Sequence, residues 1–382
     1  MFTSRRITVM GGDKFRDEFS LAFDGADEYI DLGSQAGDLR LSGSNGSIFA
    51  WVKPELTGDD YQRVVDKSDE ANAANGYAML IHDDGQLRGA MDGATRVYSS
   101  TGALKANEWA HVGYSWNGSM HYMWINGVLA ASASDTTMPP SDTTNMRIGT
   151  WNHAAAREFK GKISEVVIYS TAFSSVSVRT VYNSREPYDH ANGIAQSALE
   201  AWYRMGDGRF DQKQTDDLDG GIICDMNNVS LGSDVLGGKG DFSDASYWSL
   251  STGDTSLIEI TGGNLLFKDS GSTNYHCTKT GVLTAGKVYR CDITITANSG
   301  TRVLIDDDNP YIKTHSNNGQ TGTFTVYWRP TETFFRLYRY DGVGENYDQT
   351  ATVSNVVVRE VTGGNHGNMA NMSVDNIQGD TP

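Results

Sequence analysis

Residues 108–131 read EWAHVGYSWNGSMHYMWINGVLAA, and this stretch decides the fold. From Ala110 the chain alternates: Ala110, Val112, Tyr114 and Trp116 share one face of an extended strand, and Trp109, His111 and Gly113 share the other. Asn117-Gly118 and Asn126-Gly127 bracket the next apolar run, Met120–Ile125. Asn and Gly tolerate the positive φ of type I′ turns, so the stretch predicts a three-stranded antiparallel meander.

The same alternation runs outward, from Ser20 to about Tyr169. Tyr77–His82 and the run 86–91, joined by Asp83-Asp84-Gly85, predict another hairpin. One short helix is predicted at Ser174–Tyr182, behind a Ser cap, with Phe173, Val176, Thr180 and Val181 at helical spacing. Residues 20–210 therefore read as one antiparallel sandwich. Residues 211–239 are polar, Gly-rich and weakly patterned, and read as a linker. Alternation returns over 240–361, with strands predicted at Val288–Ile295, Arg302–Ile305, Thr323–Trp328, Thr333–Tyr340 and Thr352–Val361. The fold class is all-β, with two antiparallel β-sandwich (jelly-roll) domains. Residues 1–19 form an N-terminal arm, and 362–382 a C-terminal tail too polar to fold alone, expected to turn back toward the linker.

Composition excludes several classes of function. The chain has 382 residues, 42 of them Gly and 7 Pro, with no collagen-like period, which fits many tight turns between short strands. Its net charge is −17 and no Lys/Arg run stands out, which argues against a nucleic-acid partner. No segment approaches the roughly 20 apolar residues that cross a bilayer, so membrane insertion is not expected. Residues 1–12, MFTSRRITVMGG, lack the apolar region of a secretory signal, which points to synthesis in a cytoplasm. The cysteines are Cys224, Cys277 and Cys291; free buried thiols are favoured, and pairing of Cys277 with Cys291 stays open.

Several segments, taken in order, carry a resemblance. Leu21-Ala22-Phe23-Asp24-Gly25 with Asp27, Tyr29, Ile30 and Leu32 resembles the opening strand of a concanavalin A-like, laminin G-type domain. Phe49–Pro54, Glu108–Val112, Trp124–Val128, Met146–Gly149 and Gly161–Val166 resemble its later strands. The resemblance implies a lectin-like sandwich, with Trp51, Trp109 and Trp124 in its core. Gly240-Asp241-Phe242-Ser243 with Trp248, Phe334–Tyr338 and Val353–Val361 are similar to jelly-roll carbohydrate-binding modules. Those modules often hold a structural Ca²⁺ through an acid in the closing strand, where this chain has Ser354-Asn355. The pairing of modules, together with the segment Trp202–Gly208, looks like what tailed-phage virion proteins carry.

Glycoside hydrolysis needs two carboxylates at a set separation, which concanavalin A-like hydrolases place on one strand. Glu165 lies on such a strand but alternates with Val167 and Tyr169, and so has no acidic partner on its face. There is no nucleophile elbow, zinc-protease helix motif, P-loop or paired CxxC. The expectation is a protein without catalytic residues.

Sugar recognition needs an exposed aromatic plate beside polar side chains. One candidate is Trp151, Asn152 and His153 with Arg157, in a loop of the first sandwich. The other is the Phe334, Arg336, Tyr338 and Tyr340 face, expected toward solvent while Phe335 and Leu337 point away. Asp306, Asp307 and Asp308 form the densest acidic cluster, a candidate Ca²⁺ site weighed against an ordinary solvated turn.

The resulting expectation is a non-enzymatic virion surface protein of a tailed phage, a capsid-decoration, head-fibre or tail-fibre component. Its partners would be other virion proteins or copies of itself, with a cell-surface glycan as a further candidate. A glycoside hydrolase or depolymerase with a divergent site, and a glycan-binding module pair of a cellular adhesin, stand as alternatives.

Overall fold

The computed structural model describes residues 15–33, 38–57, 60–68, 73–141, 144–151, 157–208, 211, 222–227, 229–268, 275–300, 302–306, 320–340 and 350–382. The protein is nearly all β, 47% strand and 8% helical. Every strand pairing among the described residues is antiparallel, and the strands form four sheets.

The first two sheets enclose one core. In the first sheet the order is Val128–Ser134, Met120–Ile125, Ala110–Trp116, Gly46–Pro54, Lys160–Tyr169, Ser20–Asp24 and Ile377–Gln378, and Leu199–Tyr203 also pairs with Lys160–Tyr169. The second runs Ile222–Ile223, Gly367–Ala370, Tyr29–Asp31, Arg147–Ile148, Tyr61–Lys67, Tyr77–His82, Leu87–Met91 and Ala94–Tyr98. Ala110, Val112, Tyr114 and Trp116 point into the shared core, as their alternation requires. The opposite face of the first sheet is covered too. The α-helix Ser175–Tyr182 buries Val178 and Val181 there, with Phe49, Trp124, Tyr169 and Trp202. Both faces being buried, Gly46–Pro54 and Ala110–Trp116 are almost wholly inaccessible, and His111 stacks on Phe49 at 5.5 Å.

The meander differs from expectation at one turn. Asn126 and Gly127 both have positive φ, 49° and 77°, as a type I′ turn needs. At the other turn only Gly118 does, at 73°; the Asn117 Oδ1 instead accepts from the main-chain N–H groups of Ser119 and Met120. Ser174 caps the helix as expected, accepting from Ser177 N at 3.2 Å. Its buried side, however, is Val178 and Val181, packed with Phe173, and Val176 is exposed.

The stretch 362–382 supplies two strands to these sheets. Gly367–Ala370 pairs with Tyr29–Asp31 on one side and with Ile222–Ile223 of the expected linker on the other. Ile377–Gln378 pairs with Ser20–Asp24. The tail cannot fold alone, but main-chain hydrogen bonds to existing sheet edges order it without a core of its own.

Third and fourth sheets enclose a second core. Ile258–Thr261, Asn264–Phe267, Ala351–Thr362, Tyr289–Asn298 and Gly322–Trp328 make the third, joined by Ser230–Asp234. Ser249–Leu250, His276–Lys279, Phe335–Tyr340 and Arg302–Asp306 make the fourth. Trp328, Phe335, Leu337 and Val358 lie between them, with Cys277 and Cys291 as free thiols in the same core.

Candidate carbohydrate-binding site

Tyr61 opens the strand Tyr61–Lys67 and is 36% exposed, on the second sheet. Its cross-strand partner is His82, whose ring meets it edge-on at 5.0 Å. Two guanidinium groups flank the same ring, Arg88 at 5.2 Å and Arg157 at 5.5 Å from its centre. Arg157 also lies 4.1 Å from the centre of the Trp151 ring. Its backbone takes φ 66°, and its carbonyl accepts from Arg63 N at 3.0 Å, which fixes the loop to the sheet. Cation–π contact holds each arginine over an aromatic face, and Arg88 Nε donates to Gln86 Oε1 at 3.0 Å.

Beneath this rim lies a buried ion pair. Arg63 Nε is 2.8 Å from Asp66 Oδ2, and Ser68 Oγ donates to Asp66 Oδ1 at 2.6 Å. Burial pushes the Asp66 carboxyl up to about 6 against the opposing pull of Arg63. Acceptors stand at the rim itself. His82 Nδ1 lies 2.7 Å from Asp83 Oδ1 and 3.0 Å from Asp84 Oδ1. The set thus offers an aromatic ring, two guanidinium groups and two carboxylates, the pieces that a pyranose ring with its hydroxyls requires.

The expected residues are placed unequally. Trp151 and Arg157 lie together, but Trp151 is only 8% exposed, so Tyr61 is the accessible ring. Asn152 and His153 lie outside the described residues. On the second sandwich, Arg336 lies 4.4 Å from the centre of the Phe334 ring, and both are half-buried. Tyr338 is a correction: expected toward solvent, it is buried at 4% exposure, on a strand flanked by His276–Lys279 and Arg302–Asp306. The side chains of Tyr340 and Asp306, and all of Asp307 and Asp308, lie outside the described residues. His82, Asp83 and Asp84 bring three donor atoms within 4.8 Å, fewer than the six to eight oxygens that Ca²⁺ takes.

Trp51 and Trp124 are buried as expected, but Trp109 is only half-buried, with its Nε1 donating to Asp380 Oδ1 at 3.1 Å. Glu165 also departs from expectation. Glu165 keeps the face that alternation gives it, with Val167, Tyr169 and Trp202, and a bulge between Ser164 and Val167, with Glu165 at φ 50°, interrupts the pairing there. There it accepts from Trp202 Nε1 and from Arg204 Nε at 2.9 Å, and it has an acidic neighbour in Asp17. Sequence reading missed this pair, because Asp17 comes from the N-terminal arm. Both carboxyl side chains are 2% exposed.

Residues 24–179 match the family described as the concanavalin A-like lectin/glucanases superfamily, so this part of the chain is similar to lectin-like domains. Several solved structures are similar. A candidate carbohydrate-binding protein from Bacteroides ovatus is 18% identical with a TM-score of 0.42; the match covers 56% of this chain and 56% of that one, little more than half its length. A SAP-like pentraxin from Limulus polyphemus is 15% identical, over 47% of this chain and 85% of that one, with a TM-score of 0.36. The CBM40 of the Ruminococcus gnavus IT-sialidase is 16% identical, over 43% and 96%, with a TM-score of 0.37. No curated protein sequence matches the chain. Among the described residues no helix is long and apolar enough to cross a membrane.

Proposed function

We propose that this chain is a non-enzymatic carbohydrate-binding protein, with the Tyr61 platform as its glycan contact. The observation that carries the reading is the exposed Tyr61 ring with Arg88 and Arg157 against it and Asp83 and Asp84 beside it. A binding role fits the inaccessible Glu165–Asp17 pair better than hydrolysis does, since a scissile bond must reach its carboxylates. Affinity electrophoresis in polysaccharide-loaded gels tests binding: retardation of the wild type, lost in Arg157→Ala, is the expected result. Release of reducing ends from the retarding polysaccharide would overturn the non-enzymatic part.

The place of work within this proposal is the surface of a tailed-phage virion, supported by the pairing of two sandwiches on one chain. Mass spectrometry of purified particles tests it, and absence of the chain from the particle would count against it.

A further inference from the structure

Lys53 and Lys162 face each other directly across neighbouring strands of the first sheet. Like charges in that relation destabilise a sheet. Here a carboxylate resolves the conflict: Asp380 Oδ2 accepts from Lys53 Nζ and from Lys162 Nζ, each at 2.8 Å. Its other oxygen, Oδ1, accepts from the Trp109 indole at 3.1 Å. Ser20 Oγ donates to the Asp380 main-chain oxygen at 2.7 Å and fixes the approach. The group stays within reach of solvent, with side-chain exposures of 25% for Lys53, 23% for Lys162 and 38% for Asp380. Desolvation pushes the Asp380 carboxyl up, but the bonds from Lys162, Lys53 and Trp109 outweigh it and hold the group well below the usual carboxylate range.

We propose that Lys53, Lys162 and Trp109 form a binding site for an acidic monosaccharide unit, with the Asp380 carboxylate as its internal occupant. Two ammonium groups and an indole N–H converge on one carboxylate, which is how a uronate would be held. The half-buried indole adds an apolar face for the sugar ring, which a bare carboxylate would not use. Asp380 occupies the cradle intramolecularly, at an effective concentration in the millimolar range, so a free sugar competes poorly until it leaves. The site lies on the first sheet, apart from the Tyr61 platform on the second, and stands or falls independently of it.

The test uses the full chain and glucuronate, with glucose and acetate as controls, followed by the NMR shift of the Trp109 indole N–H. Asp380→Ala empties the cradle; Asp380→Ser, which also withdraws the carboxylate and leaves room, decides the matter if the alanine variant fails to fold. Glucuronate should shift the indole resonance in these variants at a concentration at least about ten-fold lower than in the wild type. Glucose should not shift it, and adding Lys53→Ala with Lys162→Ala should abolish the response. Folded Asp380→Ala or Asp380→Ser protein that ignores glucuronate would overturn the proposal. So would acetate binding as tightly as glucuronate, since the ring would then contribute nothing.

Discussion

Arg204 donates from Nε to Glu165 Oε1 at 2.9 Å, and this bond organises the ground on which the N-terminal segment rests. The same guanidinium lies 4.3 Å from the centre of the Phe15 ring and donates to the Arg16 main-chain oxygen at 2.6 Å. Ser164 Oγ donates to Asp17 Oδ2 at 2.8 Å, and the N–H groups of Glu18 and Phe19 donate to Asp207. Three carboxyl groups, Asp17, Glu165 and Asp207, thus crowd one guanidinium.

The crowding predicts a pH dependence. Burial, the neighbouring Glu165 and the bond with Asp207 all push the Asp17 carboxyl well above its usual range, and burial pushes Glu165 up as well. A carboxyl raised on folding stabilises the folded state fully below its ordinary pKa of about 4, and that stability drains away as pH rises toward the folded value. The melting temperature should therefore fall as pH rises from about 4 toward about 10, and Asp17→Asn should flatten the slope. Thermal scans across this window check it; parallel profiles for the two proteins would contradict it.

Gly240 carries a steric prediction. A Cβ there would lie 1.8 Å from the main-chain oxygen of Val356, in the longest strand of the third sheet. Main chain cannot swing aside as a side chain does, so Gly240→Ala should cost at least the ~1–3 kcal/mol typical of overpacking. Urea denaturation measures this, and an unchanged midpoint would refute the close approach.

The thiols carry a third prediction. Cys224, Cys277 and Cys291 are buried, and desolvation pushes all three thiols up. Thiolate is the reactive form, so a thiol reagent should find none in native protein and three after denaturation. A mass that rises by two hydrogens on reduction would instead reveal a disulfide.

What the sequence made legible was local. The strands at 108–131 and the Ser174 cap follow from period and turn chemistry, which act between near neighbours. The core positions of Phe335 and Leu337 followed from alternation, but the exposure of Tyr338 did not, because alternation names faces and not what covers them. Illegible in principle were the contacts of high sequence separation. Asp380 on Lys53 and Trp109, Asp17 beside Glu165, and Arg88 and Arg157 on Tyr61 each join segments that no local pattern links.

The Tyr61 platform yields the sharpest contrast between recognition and packing. Tyr61 is 36% exposed and Trp151 8%, although the Arg157 guanidinium lies against both rings. Removing the accessible ring takes away a sugar-facing plate and little packing, so Tyr61→Ala should shift the melting temperature only slightly. Its retention on the polysaccharide that retards the wild type should fall about ten-fold, the equivalent of ~1.4 kcal/mol. Trp151→Ala removes a buried ring and should cost ~3–5 kcal/mol of stability, with glycan retention falling because Arg157 loses its support. Paired melting curves and affinity gels read both quantities on the same samples. Full glycan retention by a folded Tyr61→Ala protein would show that the platform is not the contact.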